Sequence, residues 1–385
     1  MTTELANRQN DRDGVDEILE ELIGEVESVY GQAYEELKAE AETYLEEFKE
    51  LDEKKAEQVK AGLLSAGEYK DWRISHILTG RTMYAKLDAI ANNLANTNLI
   101  ALSIINGYMP YVYATSGNWA IYDVEHSTKI NTGFTLYNES AIEKIIREHP
   151  DLLPRKKLDI PRDKLWNKQQ LNSAIMQGII QGDNVERIAD RLAAVTDMNR
   201  NHALTNAVTM TTSAQSGGRV DTYRRAMDMG IKMKGNAWIA TLDGHTRTSH
   251  RKQDNMIVPI GKKFPNGLTR PGDPSGRPEE IYGCRCTIVA VYDDQDLSKI
   301  ERNSRLGDMS YEEWKNAKGD EPIFWKARNV NRDMRMHDEY RDLLGSKVPK
   351  SFKDFQDFKY GQRAEWRNMI SDARKARNRR RKESG

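Results

Sequence analysis

Long apolar runs, cysteines and aromatic side chains are all scarce in this 385-residue chain. The longest apolar stretch, Leu99 to Ile105, is broken by Ser103 and falls far short of the roughly 20 residues that cross a bilayer. The opening Met1-Thr2-Thr3-Glu4 is acidic with no apolar core behind it, so the sequence reads as neither membrane-spanning nor secreted. Only two cysteines occur, Cys284 and Cys286, one residue apart. That excludes a long-range disulfide framework and points to a reducing compartment or a metal site. Aromatics make up 8% and charged residues 31% of the chain, against about 25% charged in an ordinary domain. Much of the chain therefore belongs on solvated helical faces. A Gly-x-Ser-x-Gly elbow, a phosphate loop and a His-Glu-x-x-His pair are all absent, which removes the commonest hydrolase and nucleotide-binding signatures.

An excess of one charge is also missing, since 59 Lys+Arg face 59 Asp+Glu. The balance hides segregation. Residues 1–60 hold 19 acids and 7 bases, and residues 350–385 hold 12 bases and 5 acids. Ends of opposite sign address different surfaces or each other, because local potential governs long-range attraction.

What is present is mostly helical. Val15, Leu19, Leu22, Val26, Val29, Ala33, Leu37, Ala41, Tyr44, Phe48 and Leu51 recur at steps of three and four without proline, which predicts one long amphipathic helix. A second helical run covers Glu68 to Ile105, and Tyr108 to Ala114 reads as short mixed pieces. The three prolines between Pro150 and Pro161 mark a boundary. Asp183-Asn-Val-Glu186 has capping-box spacing, and a further helix is expected from Asn199 to Met229, with Gly217-Gly218 as a weak point and a stop at Gly230. Strands are expected at Asn236–Asp243 and Cys286–Tyr292 from their β-branched and aromatic content. Between them, residues 259–278 contain five Pro and four Gly, a long irregular loop that something must pin.

Candidate pins stand at the loop's two ends, in Asp243-Gly-His-Thr-Arg-Thr-Ser-His250 and Gly283-Cys-Arg-Cys286. Two sulfurs, the His250 imidazole and one further group from His245, Asp243 or Asp254 form a tetrahedral set that structural zinc accepts. Thiols simply packed beneath the loop are the alternative. At the other end of the chain, Arg374, Lys375, Arg377, Arg379, Arg380, Arg381 and Lys382 put seven cations into nine residues. They suit phosphate contact with double-stranded DNA and little sequence preference, or a solvated tail docking on an acidic surface. Phe352, Phe355, Phe358, Tyr360 and Trp366 upstream are read as the buried face of a helix in preference to stacking platforms.

The ordered set Trp238-Ile-Ala-Thr-Leu-Asp243, Thr246-Arg-Thr-Ser-His250, Asp254, the Pro/Gly-rich loop and Pro278-Glu-Glu-Ile-Tyr-Gly-Cys-Arg-Cys286 resembles the C-terminal core of phage Mu F-like head morphogenesis proteins, over roughly residues 165–295. Val208-Thr-Met210 stands where many members carry Arg-Thr-Glu, and Thr246 and His250 stand where members often have cysteines. The resemblance implies a minor head protein of a tailed bacteriophage, located in the virion at the portal or capsid interior and in the host cytoplasm during assembly. Its implied partners are the portal, the major capsid or scaffolding protein, and packaged double-stranded DNA. The candidate ligands for structural zinc are His250, Cys284, Cys286 and His245. The enzymatic alternative is a metal-dependent phosphodiesterase using Asp243, His245, His250 and Asp254 to activate water.

The expected fold is mainly α and elongated, with a small α+β core of two or more short strands around the Pro/Gly-rich loop. Three divisions are expected: an acidic helical region 1–150, a Mu F-like core 151–296 and a basic helical or extended arm 297–385.

Overall fold

The computed structural model describes residues 14–78, 81–137, 154, 156–293, 310–318 and 330–383. Eleven helices and three strands lie among them: α1 Val15–Lys60, α2 Ala66–Leu78, α3 Arg81–Thr128, α4 Ile160–Gln181, α5 Val185–Asp228, β1 Met233–Ile239, α6 Thr248–Arg251, β2 Ile257–Val258, α7 Pro278–Ile281, β3 Thr287–Tyr292, α8 Tyr311–Lys318, α9 Val330–Leu344, α10 Phe352–Gly361 and α11 Arg363–Glu383. The protein is mainly α with one small antiparallel sheet, ordered β2-β1-β3. The chain folds into two compact units, one of residues 25–106 and 155–206, the other of residues 1–24, 107–154 and 207–385. Both units are assembled from separated segments, whereas the sequence divisions at 150 and 296 are contiguous.

In the first unit, Leu37, Ala41, Leu45 and Phe48 of α1 pack with Leu87, Ile90, Ala91 and Leu94 of α3, and with α4 and the start of α5. The buried stripe of α1 includes Ile18, Tyr30 and Leu45 and leaves Leu51 half-exposed, so the seam drifts from the one read off the sequence. One chain of polar groups is matched here: Tyr30 Oη donates to Asn98 Oδ1 at 2.6 Å, and Asn98 Nδ2 donates to Asn199 Oδ1 at 2.7 Å. Asn199 Nδ2 in turn reaches Asn167 Oδ1 at 2.9 Å. Gly182, at φ 74°, ends α4 in the left-handed conformation that glycine adopts without a Cβ clash. The cap of α5 is Asn184, whose Oδ1 accepts from Arg187 N at 3.0 Å. Asp183 is therefore not the capping residue expected from the spacing; its carboxylate is taken by Arg191 at 2.5 Å.

The second unit corrects two further expectations. Residues 108–114 continue α3, with Pro110 inside the helix. Tyr108, Met109, Val112, Tyr113 and Ala114 are all buried, and that packing outweighs the backbone hydrogen bond the proline lacks. Gly217 and Gly218 do not interrupt α5, which runs unbroken to Asp228. A Cβ at Gly218 would fall on the carbonyl oxygen of Tyr113, so the glycine lets two helix backbones touch. Buried Glu125 closes the end of α3 by accepting from Thr132 N at 2.9 Å and from Trp314 Nε1 of α8 at 2.7 Å.

β1 is the central strand, pairing Trp238 with Ile288 and Asn236 with both Ala290 and Val258. The two expected strands form as Met233–Ile239 and Thr287–Tyr292, and β2 is the added one. α9, α10 and α11 share a separate core of Met336, Tyr340, Val348, Phe355, Trp366, Met369, Ile370 and Ala373. The aromatics of 352–366 thus serve packing, with Phe355 wholly buried.

Candidate metal centre

β1 ends at Ile239, and the chain turns through Asp243-Gly-His245 into the single turn of α6. Thr246 Oγ1 donates to Asp243 Oδ1 at 3.0 Å, and His245 N donates to the same oxygen at 2.9 Å. This turn aims His250 inward, where it is 1% exposed. The Trp238 ring meets the imidazole edge-on at 5.1 Å and Phe264 edge-on at 5.2 Å, so one indole of the central strand supports both the histidine and the Pro/Gly-rich loop.

Cys284 and Cys286, each 2% exposed, flank the start of β3. α5 places them: Thr209 Oγ1 accepts from Gly283 N at 2.8 Å, and the Thr212 hydroxyl donates to the Cys284 carbonyl. Two threonines of α5 therefore hold the cysteine turn. Both sulfurs point at one atom, His250 Nδ1, at 3.6 Å from Cys284 and 3.4 Å from Cys286. The other ring nitrogen lies 3.1 Å from Glu280 Oε2. Ser249 Oγ also donates to Glu280 Oε2, at 3.0 Å, and Asn266 Nδ2 does so at 3.4 Å. A carboxylate on Nε2–H leaves Nδ1 with its lone pair directed at the sulfurs, the orientation a metal-ligating histidine needs.

A tetrahedral zinc ion with its usual bonds to sulfur and nitrogen sets those atoms about 3.6 Å apart. The observed separations fit that figure, and both sulfurs meet it at once, whereas a single lone pair accepts one S–H hydrogen bond. The sulfurs also polarise each other. The hydrogen bond from Cys284 outweighs burial and draws the Cys286 thiol down. The same bond and burial push Cys284 up. Two sulfurs thus face one imidazole in a buried pocket.

The fourth candidate ligand, His245, is exposed. Among the described residues, the group whose donor atoms lie mutually within 4.8 Å is His250, Cys284 and Cys286. The acids of the hydrolytic alternative are engaged elsewhere. The Arg285 guanidinium pairs with Asp243 and holds its carboxyl down at about 2. Asp254 Oδ1 accepts from Ala240 N at 2.9 Å.

The loop is pinned at a second point the sequence did not reveal. Buried Asp273 accepts from Thr269 N at 2.9 Å and Ser275 N at 2.9 Å, and from both hydroxyls. Burial raises its pKa, but these bonds outweigh burial and leave it at about 2. Gly272, at φ +66°, lies against the α5 backbone so closely that a Cβ would stand 2.7 Å from Ser213 N. Glu280 was equally hidden, its one signal being the Pro278-Glu-Glu start of α7.

At the basic end, Arg374, Lys375 and Arg379 are exposed on α11. Arg377 pairs with Glu339 at 2.5 Å, and Arg380 pairs with Asp342. The side chains of Arg381 and Lys382 lie outside the described residues.

Comparison with known proteins bears on the same stretch. Residues 169–289 match the family described as phage Mu protein F like protein. The chain is 25% identical over 244 residues to the minor head protein GP7 of Bacillus phage SPP1, covering 60% of this chain and 78% of that protein. It is 30% identical over 205 residues to the NAD(+)--arginine ADP-ribosyltransferase EFV of Enterococcus faecalis, covering 51% of this chain and 41% of that one. The chain thus spans about two-fifths of the Enterococcus protein. No solved structure matches. The matched segment takes in the Trp238 strand, His250, the pinned loop and both cysteines, and over it the chain is similar to the phage Mu protein F-like family.

Proposed function

We propose that the protein is a minor head protein of a tailed bacteriophage, which joins the portal and the inner face of the procapsid and carries out no turnover. The observation that carries this reading is similarity over most of the length of a phage minor head protein, around a centre that is sealed: His250, Cys284 and Cys286 are each at most 2% exposed. Donors this deeply buried suit a staple in preference to a hydrolytic site, which must admit water and substrate. The likeness to the ADP-ribosyltransferase covers 41% of that protein and lends no activity to this chain.

In this reading His250, Cys284 and Cys286 hold a structural zinc ion that ties α6, the loop and β3 together. The basic face of α11 meets double-stranded DNA inside the head. The protein resides in the virion and passes through the host cytoplasm during assembly.

Co-sedimentation with purified portal tests the assembly role. Retention at a fixed stoichiometry is expected, and its absence with portal, major capsid and scaffolding proteins alike overturns that role. Elemental analysis tests the staple: about one zinc per chain is expected, falling to background in Cys284→Ser/Cys286→Ser, and a metal-free native protein overturns it.

A further inference from the structure

The phase of α11 divides the basic cluster into two classes. Residues on a helix advance by about 100° each. Trp366, Met369, Ile370 and Ala373 are buried and define the side that faces α9 and α10. Arg377 follows Ala373 by one turn and falls on that side. Its Nε stands 2.5 Å from the Glu339 carboxylate and its guanidinium 5.6 Å from the Tyr340 ring centre. A Cβ on Gly24 of α1 would lie 2.7 Å from its Nη1. Arg380, three residues on, donates to both the carboxylate and the carbonyl of Asp342. Lys375 and Arg379 lie on the far side and Arg374 on the flank, and all three are exposed, as is Arg380.

We infer that the polyanion surface of this helix is the face bearing Arg374, Lys375 and Arg379, whereas Arg377, half-buried, and Arg380, itself exposed, are already paired with Glu339 and Asp342 and contribute nothing to counterion release. This rests on the DNA reading above and sharpens it. The nearby aromatics Phe355 and Trp366 are buried in the helix core, so neither is presented beside the exposed cations for base stacking, and the surface fits the phosphates of duplex DNA over single strands. A duplex held by all seven cations would show a much steeper salt dependence than one held by the exposed face alone.

The test is binding of a labelled mixed-sequence duplex to the full chain between about 50 and about 200 mM salt. Arg374→Gln/Lys375→Gln/Arg379→Gln should flatten the plot of log K against log salt by about 2.7, at about 0.9 for each phosphate no longer neutralised. Arg377→Gln/Arg380→Gln should leave the slope unchanged while lowering the melting temperature. Glu339→Gln/Asp342→Asn frees both arginines and should steepen the slope, which keeps the test decisive if the arginine variant fails to fold. A flatter slope in Arg377→Gln/Arg380→Gln, or an unchanged slope in the triple variant, overturns the division while DNA binding stands. Displacement of the duplex by polyglutamate at equal charge assigns the surface to an acidic protein and overturns the inference. No retention of the unaltered protein at the lowest salt overturns the DNA reading together with it.

Discussion

Two polar clusters lie inside the same compact unit and are built on opposite plans. Around Lys359, a buried ammonium sits 2.9 Å from Glu21 and 2.8 Å from Asp333. Tyr108 completes Glu21 at 2.9 Å, and Gln356 and Tyr360 complete Asp333, each also at 2.9 Å. Around His250, two sulfurs and a nitrogen converge, and the nearest carboxylate, Glu280, stands behind the ring. The first cluster encodes its own cation in the chain. The second is a set of donors for a cation taken from solution, in the reading proposed here. Charge buried with full partners must be held in place by its surroundings, and here helices hold it, with Glu21 on α1, Asp333 on α9 and Lys359 on α10. Soft donors can be gathered by a loop provided the loop itself is pinned, here by Asp273, Gly272 and Glu280.

The contrast can be broken most sharply at Lys359. Lys359→Met leaves two carboxylates buried without a cation and should cost about 3–5 kcal/mol in denaturant unfolding; a cost below about 1 kcal/mol would show that water reaches the cluster. Next in size is Glu280→Gln, which weakens the orienting bond behind His250. Zinc retention against a chelator should fall by roughly 10–100-fold, and unchanged retention would make Glu280 a bystander. In the helical region, Ser351 caps α10 by accepting from Asp354 N at 3.0 Å, so Ser351→Ala should cost about 1 kcal/mol without altering metal content. A change in metal content would mean that the two clusters are coupled.

The smallest effect is one of pH. Asp273 is held at about 2 in the folded protein, below the usual value of about 4. Its contribution is present above the unfolded value and disappears as pH falls through the folded one. Pepsin nicking within 259–278 should therefore rise between about pH 4 and pH 2, and Asp273→Asn should already be nicked at the upper end. A flat profile would remove the carboxylate from the account.

The same contrast explains what could be read in advance. His250, Cys284 and Cys286 announce themselves because thiols and imidazoles are rare here and flank a Pro/Gly-rich loop. Lys359, Glu21 and Asp333 are invisible, since each looks like one more surface charge on an amphipathic helix. The long helix at 15–51 and both strands follow from period and β-branching. Pro110 and Gly218 misled for one reason: local breaker signals were overruled by packing around Tyr113. His245 stands five residues before His250, but Asp243 and Thr246 close its turn on itself and leave the ring outside the cluster.

The reach of the Lys359 ion pair sets an order of events during synthesis. Glu21 meets a partner 338 residues further along the chain, whereas His250 meets its cysteines within 36. A ribosome will have delivered every part of the clasp well before the ammonium that settles the opening turns of α1. Until then Glu21 lacks its buried cation, so the opening turns of α1 take up their final packing only after α10 has been made.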